Sequence, residues 1–170
     1  MTFRINSNII RLMRDKANQD GVSLNTLISH VLKRYVEWDV HVENKCGIIP
    51  LTKPVAFELF RNLSKNEVVK LARGVGKKAF YDTTLFMMGN VDQNEFIGWF
   101  LSLMKNSSAS ITSRSTSRGV TCYVIKHDMG ENWSIYHKAI MEAIFRDFLH
   151  KRIKIGMTES TLTIEFEEGN

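Results

Sequence analysis

The chain has 170 residues and a formal net charge of +5, with 23 lysines and arginines against 18 aspartates and glutamates. No apolar run approaches the roughly 20 residues of a membrane-spanning helix, and the polar start does not fit a secretory signal peptide. The two cysteines, Cys46 and Cys122, are too far apart for a disulfide framework or a zinc knuckle. We therefore expect a cytoplasmic protein, and the basic surplus favours a polyanionic partner without conferring sequence preference.

The first forty residues predict a short strand followed by two helices. Residues 1–6 alternate apolar and polar side chains, the period of a strand with one buried face, which leaves Thr2 and Arg4 on the polar side. Asn6 or Ser7 is placed to cap the first helix. The apolar positions expected to be buried are Met1, Phe3 and Ile5 in the strand, Ile9, Ile10, Met13 and Ala17 in the first helix, and Leu24, Leu27, Ile28, Val31, Leu32 and Tyr35 in the second.

Residues 20–23 separate the two helices by a stop signal followed at once by a start signal. Gly21 suits the left-handed residue that ends a helix, and Ser23 is a good N-cap for the next one. A strand and two helices cannot close a core in so short a segment, so we expect this region to form a homodimer. A two-stranded ribbon made by two copies would fit the DNA major groove, with its outward side chains aimed at base edges.

A known family shares this arrangement. The residues that match are Phe3-Arg4-Ile5-Asn6, Ile9-Ile10, Met13, Ala17, Gly21-Val22-Ser23 and the stretch from Ile28 to Tyr35. With them, residues 1 to 37 resemble the ribbon-helix-helix family of Arc, MetJ and CopG. The resemblance implies that outward strand side chains read bases and that the amino end of the second helix grips a phosphate. These DNA-binding roles fall on Thr2 and Arg4 as base readers, on Asn6 beside them, and on Ser23, Leu24 and Asn25 as the phosphate clamp.

A polar stretch from Glu37 to Lys45, followed by the only two prolines, Pro50 and Pro54, marks a domain boundary. We therefore assign residues 1–45 to a DNA-binding and dimerisation domain. The remainder, residues 46–170, has the usual size of one further domain.

The first half of that second domain predicts helical segments between residues 53 and 105. Gly74 and Gly76 weaken the second of these segments, and a break there is expected. The segments are 53–62, a helix opened by a capping box of Ser64 and Glu67, a helix over Lys77 to Met88, and a helix that Asp92 caps and that ends at Asn106.

The second half, residues 109–168, predicts a ββαββ unit, in which one long helix backs a small antiparallel sheet. Its elements are a hairpin of residues 110–114 and 120–126, a helix from Asn132 to His150, and a hairpin of residues 152–155 and 161–166. Cys122 is expected on the apolar face of its strand, and His137 and His150 at or near the helix surface. The predicted fold class is therefore α+β: a dimeric ribbon-helix-helix, a helical segment and a small antiparallel ββαββ domain.

The stretch from His127 to Ser134, with the helix after it, makes the whole chain similar to archaeal proteins that join a ribbon-helix-helix start to an α+β domain. That similarity implies the order of the two domains and does not imply an activity. A strand-to-helix turn is a place where ligands often bind. A polar turn ending in Gly130 before a capped helix explains the same residues, and we favour this structural interpretation.

Two further groups of residues are candidate sites. His41, Glu43 and Cys46 have metal-ligand side chains at loop spacing, but no second cluster accompanies them, so a solvated linker is favoured and no metal or cofactor is expected. Basic residues in the second domain are candidates for auxiliary phosphate contacts, although a solvated face is the simpler interpretation. The candidates are Lys77, Lys78, Arg114 and Arg118.

These features predict a sequence-specific transcription regulator that binds DNA as a homodimer. Higher oligomers and an unknown small-molecule effector are compatible with the pattern, and no membrane partner is expected. An enzyme is not expected, because no nucleophile, base and orienting partner combine. Two alternatives stay open: an antitoxin-type autoregulator that binds a protein toxin, and a metal- or ligand-sensing repressor. The large, aromatic-rich second domain argues against the antitoxin, whose toxin-binding tails are commonly short or disordered.

Overall fold

The computed structural model describes residues 4–39, 51–115 and 119–167. The chain divides into two compact units, Met1–Ile49 and Pro50–Asn170. The fold is mixed α+β, because the second unit adds a four-stranded antiparallel sheet to its helices. Within the ranges given, no helix combines the length and the apolar character needed to cross a membrane.

The first unit contains two helices, α1 (Ser7–Gln19) and α2 (Leu24–Arg34), and α2 continues into a π-helical turn, Tyr35–Asp39. The predicted caps are confirmed. The Asn6 side chain accepts the backbone N–H of Asn8 at 2.8 Å, and Ser23 Oγ accepts that of Thr26 at 3.0 Å. Gly21 has a φ of +67°, the left-handed conformation that ends α1.

The predicted amino-terminal strand lies partly outside the described residues. Of its members, Arg4, Ile5 and Asn6 are described, and they lie outside any strand. A ribbon of the expected kind pairs strands from two copies, so a single chain does not test it. The pairing stays a prediction.

The apolar side chains of α1 and α2 are mostly exposed in the single chain, and because their predicted burial requires a second copy, it stays a prediction. Ala17 is buried between the helices, but α2 contains no buried residue. The most exposed side chains, between 49% and 65% exposed, are Ile9, Leu12, Val31, Leu32, Tyr35 and Val36. The pattern is amphipathic as predicted, and among the described residues its apolar side stays largely exposed.

The second unit begins with helices and ends with the predicted ββαββ order. Its capping box is confirmed, since Ser64 Oγ accepts the N–H of Glu67 and the Glu67 carboxylate accepts that of Ser64. Asp92 accepts the N–H of Glu95 at 2.9 Å, as predicted. The elements are α3 (Lys53–Arg61), α4 (Lys65–Leu71), a π turn (Ala72–Gly76), α5 (Lys77–Met88), α6 (Gln93–Asn106), β1 (Ser110–Ser115), β2 (Val120–Lys126), α7 (Gly130–Ile144) with a π turn (Phe145–Leu149), β3 (Lys154–Met157) and β4 (Thr161–Glu167).

The predicted break at Gly74 and Gly76 is wrong, because α4 runs through a π turn into α5 without leaving the helical backbone region. Val68, Ala72 and Gly76 are buried at intervals of four residues. An α-helix has 3.6 residues per turn, so such a face would drift around it. One wider turn restores the alignment. Gly76 also needs its missing side chain, since a Cβ there would lie 2.9 Å from the Tyr136 hydroxyl of α7.

The sheet has the strand order β1-β2-β4-β3, with every neighbour antiparallel. Its buried face is fixed by β4, in which Leu162, Ile164 and Phe166 alternate with partly exposed residues. The prediction that Cys122 joins this face is wrong. Cys122 lies opposite Glu165 in β4, so it projects from the other face of the sheet.

The core of the second unit lies where α5, α6 and α7 meet each other and the sheet. The long helix α7 starts two residues earlier than predicted, at Gly130, and the side-chain cap expected of it is not found, since Met129 at the cap position makes no such hydrogen bond. The Asn132 amide, in its first turn, donates to the carbonyls of Phe60 and Leu63 after α3. The largest fully buried side chains of the unit are Phe96, Phe100, Met104, Ile125, Ile140, Met141, Ile144, Phe145, Leu162 and Ile164.

Candidate nucleic-acid interface

The amino end of α2 is the best formed of the predicted DNA-contacting features. Ser23 is exposed and has an extended backbone, and its hydroxyl lies 3.0 Å from the Thr26 nitrogen. The first N–H groups of the helix, which include those of Leu24 and Asn25, have no carbonyl one turn earlier to accept them. Together with the helix dipole they make this end attractive to an anion. Ser23, Leu24 and Asn25 thus form an exposed helix amino end, and their contact with a phosphate stays a prediction.

The strand residues are only partly described. Thr2 lies outside the described residues, so its position beside Arg4 is not tested. Arg4 is exposed. Asn6 is also exposed, but its Oδ1 already accepts the N–H of Asn8, which leaves its amide N–H groups for a partner.

The first unit carries exposed positive charge beyond its internal ion pairs. Lys16 pairs with Asp20 at 2.7 Å, and Arg34 Nε lies 3.5 Å from Asp39. These pairs are solvent-exposed and contribute little to stability. Within the part of the chain that the structure describes, Arg4, Arg11 and Arg14 have no such acidic partner, so they are available to phosphates.

The two auxiliary candidates Lys77 and Lys78 differ in their surroundings. Lys77 Nζ donates to Asp147 at 2.8 Å and lies 5.5 Å from the centre of the Phe148 ring. Arg146 donates to the same carboxylate, and the hydrogen bonds from Arg146 and Lys77 lower the pKa of Asp147 to about 2. Lys78 is exposed.

The other two auxiliary candidates lie around the β1–β2 hairpin. Arg114 is exposed on β1, opposite Cys122 in the register of the sheet. Arg118 lies outside the described residues. The structure therefore places one of the two on the outer sheet face and leaves the other untested.

The three metal candidates, His41, Glu43 and Cys46, all lie outside the described residues. Across residues 4–39, 51–115 and 119–167, no group of three or more His, Cys, Asp or Glu side chains could hold a metal ion.

The turn from His127 to Glu131 is tied down by contacts within the protein, which supports the structural interpretation. Lys53 pairs with Asp128 and Lys65 with Glu131, both at 2.7 Å. The hydrogen bond from Lys53 lowers the pKa of Asp128. Gly130 has a φ of +77°, and a Cβ added there would lie 3.1 Å from the Phe57 ring.

His127 and Ser134 form a buried pair within this turn. The backbone N–H of Met129 donates to His127 Nδ1 at 3.2 Å, so the ring proton is on Nε2, which donates to Ser134 Oγ at 2.8 Å. A histidine that activates a serine has the opposite polarity and accepts the hydroxyl proton. Burial lowers the pKa of His127, which keeps the ring neutral. The pair is suited to holding the turn against α7.

His137 was expected near the surface, and that expectation is wrong: it is 1% exposed. It lies among the rings of Phe80, Phe100 and Trp133, and its Nδ1 donates to the Trp133 carbonyl at 2.9 Å. Burial lowers its pKa to about 4. The sequence did contain the signal, because His137 is four residues after Trp133 and three before Ile140, on the apolar side of α7.

The sequence matches no protein-family model, and it has no significant match among curated proteins.

Proposed function

We propose that this protein is a sequence-specific DNA-binding transcription regulator that acts as a homodimer through its first unit. The observation that carries the proposal is the combination of an exposed, serine-capped amino end of α2 with an apolar helix face that is exposed among the described residues. Residues 1–37 resemble the ribbon-helix-helix family, in which the helices form a dimer and the amino end of the second helix binds a phosphate.

The apolar face supports a second copy as its partner. Leu12, Val31 and Leu32 project from a two-helix unit that is too small to enclose them. Large exposed apolar patches are uncommon on monomers and mark association surfaces. A two-fold axis would place the same face of one copy against that of the other, which covers both with one interface.

The DNA contacts follow from the chemistry of the residues that such a dimer would present. Arg4 has a planar fork that can bind the O6 and N7 of guanine together, and Thr2 can bond to a base or pack its methyl against thymine. The amino end of α2, with Ser23, would bind a backbone phosphate and fix the position of the ribbon. Exposed Arg11 and Arg14 add sequence-independent attraction.

The proposal is tested by selecting bound sequences from random duplex DNA and then measuring Arg4→Ala on the selected site and on a random duplex. We expect the variant to lose about 1–3 kcal/mol of preference for the selected site, because one bidentate base contact is removed. Arg11→Ala removes the same charge from α1 and is the control, since it should weaken binding to both duplexes alike. If Arg4→Ala changes the ratio of the two affinities no more than Arg11→Ala does, the base-reading role is wrong.

Native purification distinguishes the antitoxin alternative. A DNA-binding homodimer should elute alone, whereas an antitoxin should carry a protein partner in stoichiometric amount.

A further inference from the structure

The helix formed by α4, the π turn and α5 has one line of positions that faces away from the core. Buried positions recur every four residues at Val68, Ala72 and Gly76. Lys70, Gly74 and Lys78 each lie two residues later, which is about half a turn and therefore on the opposite side of the helix. All three are exposed, as is Arg73 beside Gly74. We call Lys70, Arg73 and Lys78 the outer basic line.

The π turn creates this alignment. In a continuous α-helix, eight residues make more than two full turns, so Lys78 would be rotated well away from Lys70. The wider turn over Ala72–Gly76 takes up the excess and brings Lys78 back into line. It also turns Lys77 toward Asp147, with which it pairs.

The described part of the chain provides no ion pair to the outer basic line. Lys65 and Lys77, on the same helix, are paired with Glu131 and Asp147. Among the residues that the structure describes, Lys70, Arg73 and Lys78 have no acid within ion-pair distance. The nearest acid on the amino-terminal side, Glu67, is held by the backbone N–H and hydroxyl of Ser64.

The shape of this surface suits a polyanion. A Cβ at Gly74 would meet no atom within 4 Å, so the middle of the line is open to a partner. Lys70 and Lys78 are separated by roughly 12 Å along the helix axis, calculated from 1.5 Å per residue. A DNA strand carries one phosphate for about every 3.4 Å of helix axis, so three cations match a short run of phosphates. Asp82, four residues after Lys78 and also exposed, ends the line.

We infer that the outer basic line binds the phosphate backbone of DNA, in addition to the contacts made by the first unit. The inference rests on the proposed function for the identity of the nucleic acid. The contact would be independent of base sequence, since lysine and arginine here would meet phosphates and displace counterions. The second unit would then increase the affinity for DNA directly but would not contribute to base recognition.

The test is the salt dependence of binding by the full chain to a mixed-sequence duplex, for wild type and for Lys70→Gln/Arg73→Gln/Lys78→Gln. Each phosphate contact contributes about 0.9 to the slope of log Kobs against log salt, so we expect the slope to fall by up to about 2.7. At about 0.1 M salt, binding should weaken by on the order of tenfold or more. The control is Lys105→Gln/Lys151→Gln/Arg152→Gln, which removes the same charge from other exposed positions of the second unit.

The outcomes separate this inference from the proposed function. If wild type binds duplex DNA and the line variant and the control have equal slopes, the outer basic line is not a DNA contact, whatever Arg4→Ala does. If the line variant alone has a shallower slope, the inference stands, even where Arg4→Ala leaves sequence preference unchanged. If wild type binds no duplex DNA, both proposals are wrong. Thermal unfolding by circular dichroism confirms that both triple variants are folded.

Discussion

The two units of this chain differ in how much of their apolar surface is buried. In the first unit, Leu12 and Leu32 are more than half exposed, although they belong to well-capped amphipathic helices. In the second unit, Phe96, Phe100 and Phe145 are fully enclosed by helices and a sheet of the same chain. Local helix signals are equally good in both, so the difference lies in what covers the apolar side. In the proposed dimer the first unit depends on a partner, whereas the second unit encloses its largest apolar side chains itself.

The largest expected effect is on that dependence. Leu32→Glu would place a carboxylate in the apolar interface of the proposed dimer, where it would lose its water without gaining a partner. We expect the dimer dissociation constant to rise at least a hundredfold, about 3 kcal/mol, as measured by sedimentation equilibrium. The control is Val75→Glu, since Val75 is 72% exposed in the second unit and should shift the constant by less than about 0.5 kcal/mol. Equal behaviour of the two variants would show that the face of α2 is not the dimer interface.

The next largest effect is the loss of stability in acid, which we expect to be greater for the second unit. That unit buries His127 and His137, whereas His30 of the first unit is exposed. The pKa of His137 falls from 6.5 to about 4 on folding. A lowered histidine pKa means that the unfolded chain binds the proton more readily, so stability is full above pH 6.5 and is lost as the pH falls toward 4. Between pH 7 and pH 5 we expect a loss of about 2 kcal/mol from this group.

Urea unfolding of Trp38→Phe measures this loss, because Trp99 and Trp133 then report on the second unit. His137→Phe should flatten the dependence between pH 7 and pH 5, leaving the smaller share of His127, whose pKa burial also lowers. Asp147, with its pKa of about 2, loses its contribution only at lower pH. Parallel pH profiles for the two proteins would contradict the assignment to His137.

The features that the sequence predicted well are those decided by neighbouring residues. The Ser64 capping box, the Asp92 cap and the left-handed Gly21 depend on contacts within four residues, and each was predicted correctly. The bounds of β4 were also predicted to within one residue, because its apolar residues alternate with polar ones.

The features that the sequence missed depend on elements distant in the chain. Gly76 stays helical because α7 packs against it, which no local rule contains. Cys122 was assigned to the wrong face because β2 is apolar on both sides, and only its register with β4 decides between them. His137 was judged by residue type, although its spacing on α7 indicated burial. The predicted ribbon pairs strands from two chains, so it stays a prediction.

We expect the smallest effect in a comparison of two serine caps: Ser64 also belongs to a capping box with Glu67, and only Ser23 has a proposed role in DNA binding. Ser23 opens α2 and Ser64 opens α4, and each accepts a backbone N–H three residues later, at 3.0 Å and 3.3 Å. Replacing either by alanine should cost about 1 kcal/mol of stability, because one orphan donor loses its acceptor. Ser23→Ala should also weaken DNA binding several-fold, whereas Ser64→Ala should leave it unchanged, and both are measured at a temperature where the proteins are fully folded. A matching loss of affinity in the two variants would mean that Ser23 acts on DNA only through the stability of its helix, and the phosphate clamp would then have to rest on backbone N–H groups alone.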